Sequence, residues 1–174
     1  MREAEMESTE AGQRPAGDGW FVVNVADAAG EIRTSGGAII AGFENEEHPF
    51  PHFAINVTVL EDGVPNCLYH REGLQESFLV LDGEPLLLVE GEERRLRKWD
   101  FVHCPPGATH VFVGPGAILM VGARGPDDEL HYPVDSLAEK HGASAVAPTG
   151  DPQEAYISAG WSRDWRPVQM PWPS

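Results

Sequence analysis

The amino-acid sequence predicts an all-β domain, built as a sandwich or a barrel of short strands. Between residues 20 and 124, no apolar pattern keeps a helical period over a useful length. Short apolar runs alternate there with turn residues such as Asp62-Gly63, Asp82-Gly83 and Pro105-Pro106-Gly107. Many short strands at near-regular spacing, separated by such turns, are typical of all-β folds.

The strand candidates follow one another along this region. They are Trp20–Val25, Gly36–Ile40, Phe53–Leu60, Ser77–Leu81, Pro85–Val89, Phe101–Cys104, His110–Val113 and Ala117–Val121. Three of the runs are apolar at every position, namely Phe78–Leu81, Leu86–Val89 and Ile118–Val121. Because a strand with one solvated face should alternate, these runs predict burial on both faces. We expect the outer faces to be covered by the terminal segments or by a second copy in a homodimer.

The chain divides into three parts by composition. Residues 1–19 are polar and rich in Glu, which predicts a disordered acidic tail. Residues 20–124 hold the strand candidates and form the predicted barrel. In residues 125–174 the segment Val134–Lys140 predicts a short helix, and Gly142 stops it. An arm containing Trp161, Trp165 and Trp172 follows, and we expect it to pack on the barrel or on a partner subunit.

Composition excludes several classes of function. The chain has 174 residues with 28 acidic and 12 basic side chains, giving a formal net charge of −16. Because nucleic-acid backbones and anionic membranes require positive charge, we expect neither as a partner. The apolar runs are too short to span a bilayer, and residues 1–19 do not resemble a signal peptide. The only cysteines, Cys67 and Cys104, form no disulfide framework, so we expect a cytoplasmic protein.

The stretch that is informative for chemistry lies between residues 66 and 114. His70 and Glu72 are two residues apart, so their side chains leave the same face of a strand. By the same alternation Glu76 shares a face with Phe78, and His110 shares one with Phe112. Those aromatic residues would line a barrel interior, where a carboxylate is costly unless it is paired or bound to a cation.

Two imidazoles and two carboxylates in such an interior suit a divalent first-row metal. The alternative is a buried network of hydrogen bonds without a metal. Nearby candidates receive structural interpretations: His103 faces outward, Cys104 is a small core residue, and Asp127-Asp128-Glu129 is a solvated acidic turn. His48 and His52 lie in a proline-rich loop.

This stretch resembles the two motifs of the cupin superfamily. The first family motif is an HxH pair, three or four residues, Glu, six residues and Gly, and Glu76 and Gly83 match its end. The second is Gly, five residues, Pro-x-Gly, two residues, His, three residues and Asn, and Pro105, Gly107 and His110 match it. The motifs lie at 70–83 and 99–114, and the strand pattern of residues 53–123 fits a small single-domain cupin.

Three positions depart from the family pattern. Glu72 stands at the second His of the HxH pair, Trp99 at the first Gly of the second motif, and Gly114 at its final Asn. The resemblance implies a jelly-roll barrel, or double-stranded β-helix, with the short C-terminal helix and an extended tail. It also implies one divalent metal ion (Fe, Mn, Ni, Zn or Co) at His70, Glu76 and His110. Glu72 would be a fourth ligand or a general base.

Three functions are compatible with this resemblance. The first is a mononuclear metalloenzyme, of the dioxygenase, decarboxylase or isomerase type, acting on a small acid, sugar or aromatic molecule. The second is a cupin that binds a small ligand in the barrel without turnover. The third is a metal-free scaffold in which the aromatic arm carries the function. One fold hosts many functions, so the motifs alone do not choose among them.

Overall fold

Two facing β-sheets form the body of the protein in a computed structural model that describes residues 1–44 and 48–172. The strands are β1 (Met6–Thr9), β2 (Gly12–Pro15), β3 (Ala29–Arg33), β4 (Ile39–Gly42), β5 (Phe53–Leu60), β6 (Glu76–Gly83), β7 (Leu86–Val89), β8 (Glu92–Arg95), β9 (Phe101–Cys104), β10 (His110–Val113), β11 (Gly116–Ala123) and β12 (Trp165–Gln169). Two short helices, α1 (Ser136–Lys140) and α2 (Pro152–Ser158), lie near the C-terminal end.

The larger sheet has the strand order β12-β3-β4-β5-β11-β6-β9, and the smaller one has the order β10-β7-β8. All the paired strands of both sheets are antiparallel. This arrangement confirms the predicted all-β jelly roll with a short C-terminal helix. Among the described residues, no helix combines the length and the apolar character that crossing a bilayer requires.

The inner faces of the two sheets share one core. Phe78, Ile118 and Met120 from the larger sheet pack with Leu87 and Phe112 from the smaller one. These residues stand at alternate positions of their strands, as the period of two in a strand requires. The core therefore reaches His110, since the ring centre of Phe78 lies 5.1 Å from that of His110.

The outer face of β7 is covered by the chain itself. Leu86 and Leu88 pack with Val111 of β10 and with Ala138 of α1. Leu87 packs in the barrel core, while Leu86 and Leu88 pack against α1. Both faces of β7 are therefore buried, which explains why Leu86–Val89 is apolar at every position. The outer face of β7 is thus covered by a terminal segment of the chain, which is the first of the two expected alternatives.

Helix α1 begins two residues later than predicted because Asp135 caps it. The Asp135 carboxylate accepts hydrogen bonds from the backbone N–H groups of Leu137 and Ala138, at 2.9 and 2.8 Å. Asp135 itself has an extended backbone with φ −138°, so the helix starts at Ser136.

Replacing this cap is expected to weaken the whole fold slightly. Asp135→Ala leaves two helix N–H groups without their acceptor, so the free energy of unfolding should fall by about 1 kcal/mol. Urea denaturation measures this change, with Asp62→Ala in an exposed turn as the control. Equal midpoints for the two variants would show that α1 does not contribute to the cooperative unit.

The prediction that residues 1–19 form a disordered tail is wrong, because β1 and β2 form a hairpin there. β1 and β2 pair antiparallel, with Glu7 opposite Arg14, and these two side chains form an ion pair of 2.8 Å. The Thr9 hydroxyl accepts from the Ala11 N–H and donates to the Gly12 carbonyl, which stabilises the two-residue turn. Polar composition suggested disorder, whereas these local bonds favour a hairpin.

The prediction of a strand at Trp20–Val25 is also wrong. Asn24 caps a 3-10 turn at Val25–Asp27 by accepting from the Ala26 N–H, and this replaces a sheet ladder. Val25 then packs beside Ala28, Ala41 and Met170 on the outer side of β3 and β4.

The aromatic arm packs on the barrel, which is one of its two expected places. Trp165 begins β12, which pairs with β3. The Arg33 guanidinium of β3 lies 4.3 Å from the centre of the Tyr156 ring and 4.4 Å from that of Trp165. Cation–π contacts of this kind hold an arm whose strand is otherwise exposed.

Candidate metal centre

His70 and His110 are brought together by the backbone. The His70 N–H donates to the His110 carbonyl at 3.2 Å, and the His110 N–H donates back at 2.8 Å. This exchange makes the two residues a directly opposed antiparallel pair, so their rings lie on the same side, with centres 5.4 Å apart.

The carboxylates approach the rings from the neighbouring segment. Glu76 is the first residue of β6, and its Oε2 lies 3.2 Å from Nε2 of His110. Glu72 Oε1 lies 3.5 Å from Nε2 of His70. One potential ligand atom from each of His70, Glu72 and Glu76 lies within 4.8 Å of the others. His110 joins this group through its contact with Glu76.

The histidine tautomers follow from their backbone contacts. Nδ1 of His70 lies 2.8 Å from the Leu68 carbonyl oxygen, and Nδ1 of His110 lies 3.1 Å from that of Ala108. Because a carbonyl oxygen only accepts, each Nδ1 carries the proton, and in the neutral ring Nε2 keeps its lone pair. Both lone pairs then face carboxylate oxygens, which are also acceptors, so a proton or a cation must lie between them.

Burial favours the neutral forms of Glu76 and His110. It raises the pKa of Glu76 to about 7, with the Glu72 carboxylate adding to the effect. It lowers the pKa of His110 to about 4, and the neighbouring His70 lowers it further. For His70 burial lowers the pKa, but Cys67 and Glu72 raise it more, so the net pKa lies well above its ordinary value. A cation bound between these groups would allow the Glu76 carboxyl to ionise.

The residues around the Glu76 carboxylate leave room for a small bound ion. Gly122 is directly opposite Glu76, and a Cβ there would lie 3.7 Å from Oε1 of Glu76, so any larger residue would fill the room beside the carboxylate. The Phe78 ring lies 5.1 Å from the His110 ring and provides an apolar wall. Imidazole and carboxylate donors of this kind fit a divalent first-row metal.

Three residues beside the site were not predicted from the sequence to contribute to it. The Cys67 sulfur lies 3.6 Å from Nδ1 of His70, and the Tyr132 ring stacks on the His70 ring with centres 5.5 Å apart. The third is Asp128, which is exposed, as expected for a solvated turn. Partial burial nevertheless raises the pKa of Asp128, and the Glu72 carboxylate raises it further. The acidic turn therefore lies close enough to Glu72 to influence it.

The approach of Asp128 depends on a glycine far away in sequence. A Cβ at Gly73 would collide with the backbone of Asp127 and Glu129, so the loop of residues 127–129 crosses directly over Gly73. No sequence spacing relates these segments. The one available signal was a glycine next to Glu72, which by itself predicts only a turn.

Other candidates lie where they were expected. His103 is exposed and lies 3.2 Å from the Ser77 hydroxyl. Cys104 is buried opposite Glu76, and burial raises the pKa of its thiol to about 11, so it is an inert core residue. His48 contacts Asp18 at 3.0 Å, which keeps it with the N-terminal region.

A separate cavity of about 1020 Å³ lies between the N-terminal hairpin and the β3–β4 strands. Its lining includes Arg14, Glu31, Ile40 and the ion-paired residues Glu44 and Arg124. None of the four candidate ligands lines it. This cavity and the four candidate ligands thus lie at different places in the described part of the chain.

Solved structures of the cupin superfamily resemble this arrangement. The polyketide cyclase RemF from Streptomyces resistomycificus is 17% identical, with 62% of this chain and 82% of that chain covered at a TM-score of 0.52. A protein of Acidithiobacillus ferrooxidans assigned as a sugar phosphate isomerase is 19% identical, with 81% and 83% covered at a TM-score of 0.51. The chain has the cupin fold.

The other comparisons add less about this chain. No family model matches the chain. A cupin-superfamily sugar phosphate isomerase from Silicibacter pomeroyi is 26% identical, with 55% of this chain and 65% of that chain covered at a TM-score of 0.49. Human Syntaxin-16 is 33% identical over 107 residues, which cover 59% of this chain but 32% of Syntaxin-16. The chain spans under two thirds of the length of these two proteins.

Proposed function

We propose that this cupin binds one divalent metal ion through His70, Glu76 and His110. The observation that carries the proposal is geometric: Nε2 of His70 lies 3.5 Å from Glu72 and Nε2 of His110 lies 3.2 Å from Glu76, while each Nδ1–H is held by a carbonyl. Metal-ligating histidines almost always have their second nitrogen held in this way. A cation bound there would replace the protons that otherwise lie between these nitrogens and carboxyl groups, and the Glu76 carboxyl would ionise.

We further propose that the site is catalytic, in a mononuclear metalloenzyme acting on a small acid, sugar or aromatic molecule. A metal ion bound there would act as a Lewis acid on an oxygen atom of the substrate. The reaction would be a dioxygenation, decarboxylation or isomerisation. The neighbouring structures include proteins described as a polyketide cyclase and as a sugar phosphate isomerase, which supports small-molecule chemistry in such barrels.

Glu72 has two proposed roles. Its side chain is more exposed than those of Glu76 and His110, so its carboxylate can face a substrate. It would either complete the ligand set or accept a proton from the substrate as a general base. The acidic turn brings a second carboxyl near Glu72: burial raises the pKa of Asp128, and the Glu72 carboxylate raises it further. The buried Phe78 and Phe112 exclude water from the opposite side.

Elemental mass spectrometry of the full chain tests the metal proposal. Protein purified without added metal and without chelator should contain close to one equivalent of Fe, Mn, Ni, Zn or Co. Absence of all five, with none retained after dialysis against each ion, would refute the metal site. The buried hydrogen-bond network would then be the better description of these residues.

The alternative function is a cupin that binds a small ligand without turnover. Water exchange at the bound metal distinguishes the two. A paramagnetic ion such as Mn²⁺ with an exchangeable water would enhance the relaxation of solvent protons, and this open position favours catalysis. A coordination sphere closed to water favours ligand binding or a structural role.

The cytoplasmic location and the homodimer remain predictions from composition and from the apolar strands. Neither depends on the metal.

A further inference from the structure

His70 lies at the end of an irregular segment that faces β10. The Asn66 N–H donates to the Phe112 carbonyl at 2.9 Å, and the Phe112 N–H donates to Oδ1 of Asn66 at 2.8 Å. The next pair along β10 is His70 with His110. One residue of β10 separates these two pairs, whereas three residues, Cys67–Tyr69, separate them on the facing segment. We call Cys67–Tyr69 the bulge.

The bulge holds the ring of His70. The Leu68 carbonyl accepts the hydrogen bond of the His70 Nδ1–H at 2.8 Å, so the direction of Nε2 depends on the peptide group between Leu68 and Tyr69. Extra residues of this kind stand outside the β-ladder, and other contacts must set their orientation. Leu68 is 0% exposed, so these contacts come from the interior of the protein.

The partners of the bulge belong to the C-terminal part of the chain, residues 125–174. The Tyr69 N–H, which belongs to the same peptide group as the Leu68 carbonyl, donates to the Ala143 carbonyl at 2.7 Å. The Leu68 N–H donates to the hydroxyl of Tyr156 on α2 at 3.4 Å. Both peptide groups that flank the Leu68 Cα are therefore held by residues far along the chain.

Aromatic rings join the same part of the chain to His70. The Tyr132 ring stacks on the His70 ring with an interplanar angle of 24°, and the Tyr156 ring meets the Tyr132 ring edge-on with centres 5.9 Å apart. Leu68, Tyr132 and Tyr156 lie in one buried cluster with Ala155 of α2. His70 thus contacts the C-terminal part of the chain both through the bulge and through Tyr132.

Tyr156 is itself fixed by packing and by neighbouring hydrogen bonds. The Arg33 guanidinium lies 4.3 Å from the centre of the Tyr156 ring and donates to the Ser162 carbonyl at 3.0 Å. The Tyr132 N–H donates to the Thr149 carbonyl at 2.8 Å, which fixes the ring that Tyr156 meets. The Tyr156 hydroxyl therefore has a defined position from which it holds the bulge.

We propose that Tyr156 is a positioning residue of the metal centre, and that the C-terminal part of the chain completes the support of His70. This rests on the metal site of the proposed function. Two hydrogen bonds, one on each side of the Leu68 Cα, link the Tyr156 hydroxyl to the Nδ1–H of His70. Without the hydroxyl the bulge is free to turn, and Nε2 of His70 is directed at the ion less accurately.

Co²⁺ binding by the full chain tests this role. Tyr156→Phe removes the hydroxyl and keeps the ring that contacts Tyr132 and Arg33. It should weaken Co²⁺ binding about 10-fold, at the lower end of the range for residues that support a ligand, because Tyr156 acts through Leu68. Competition with a chromophoric chelator measures the affinity. The visible absorption of bound Co²⁺ should also change, because it reports the geometry of the ligands.

Tyr69→Phe is the matched control. Tyr69 is also buried, and its hydroxyl accepts from the Gly91 N–H at 3.0 Å, in the turn between β7 and β8. Each variant loses one hydrogen bond from a backbone N–H, so the thermal midpoint of the chelated protein should fall similarly in both. Co²⁺ affinity and the Co²⁺ spectrum should change only in Tyr156→Phe.

Arg33→Lys keeps the test valid if Tyr156→Phe fails to fold. It keeps the charge but loses the planar contact with Tyr156, and should weaken Co²⁺ binding by a factor of about 2–5. Unchanged affinity in whichever of these two variants folds would refute the positioning role, as would an equal loss in Tyr69→Phe. A wild type that binds no Co²⁺ would also refute the role and, together with the absence of the other four candidate ions, the metal site itself.

Discussion

His110→Ala is expected to reduce the metal content from close to one equivalent to below about 0.1. The ring is 2% exposed, its Nε2 lies 3.2 Å from Glu76, and its Nδ1–H is held by the Ala108 carbonyl. Its removal deletes one ligand and leaves Glu76 in an apolar site, where protonation is favoured. Changing a residue that only supports a ligand already costs about 10–100-fold in metal affinity, so loss of a ligand should cost more.

His103→Ala is the matched control for this experiment. His103 lies in the second motif but is exposed and contacts Ser77, so its removal should leave the metal content unchanged. Both variants should be compared at equal pH after dialysis against the metal found in the wild type. Equal metal in His110→Ala and the wild type would refute the proposed ligand set, even if the protein binds metal elsewhere.

Phe112→Ala is expected to lower the free energy of unfolding by about 3–5 kcal/mol. Phe112 is 0% exposed, and its ring centre lies 4.8 Å from that of Phe78, between the two sheets. Alanine leaves a cavity in the middle of the core, and the surrounding strands cannot collapse to fill it. Urea denaturation of the chelated protein should show a lower midpoint with an unchanged slope.

The comparison variant for the core is Phe53→Ala. Phe53 begins β5 and is exposed, although its ring lies 5.6 Å from that of Phe50, so its loss should cost less than about 1 kcal/mol. Similar losses for Phe53→Ala and Phe112→Ala would mean that the two sheets do not share a single core. Metal added to the Phe112 variant should recover part of the loss if it binds only the folded state.

Local sequence signals predicted the part of the fold that surrounds the site. Alternation and turn residues gave β5, β6, β10 and β11 close to their observed bounds, because each lies between clear turns. The charged strand β8 and the C-terminal strand β12 were missed. β12 pairs with β3, which is distant in sequence, and β8 pairs with the adjacent β7 but consists only of charged residues.

The candidate site, too, was predicted only in part from local sequence. Motif spacing selected His70, Glu72, Glu76 and His110, and these residues do converge. Asp128 and Tyr132 were not selected, and neither was Cys67. Packing of residues 127–129 over Gly73 brings Asp128 close to the site, and the pairing of Arg71 with His131 places Tyr132 beside His70. An acidic turn and an isolated aromatic residue are common on protein surfaces and in protein cores, so neither indicates a metal site by its local sequence.

The pairing of β12 with β3 has a consequence for synthesis of the chain. Arg33 donates a hydrogen bond to the Ser162 carbonyl, 129 residues later. During translation the edge of β3 stays unpaired until residues near Trp165 have left the ribosome, whereas β5 and β6 gain their shared partner β11 earlier. Contacts so distant in sequence slow folding, and an open strand edge can pair with other chains meanwhile. The edge of β3 is therefore open to pairing with other chains after the core strands have been synthesised and before β12 is available.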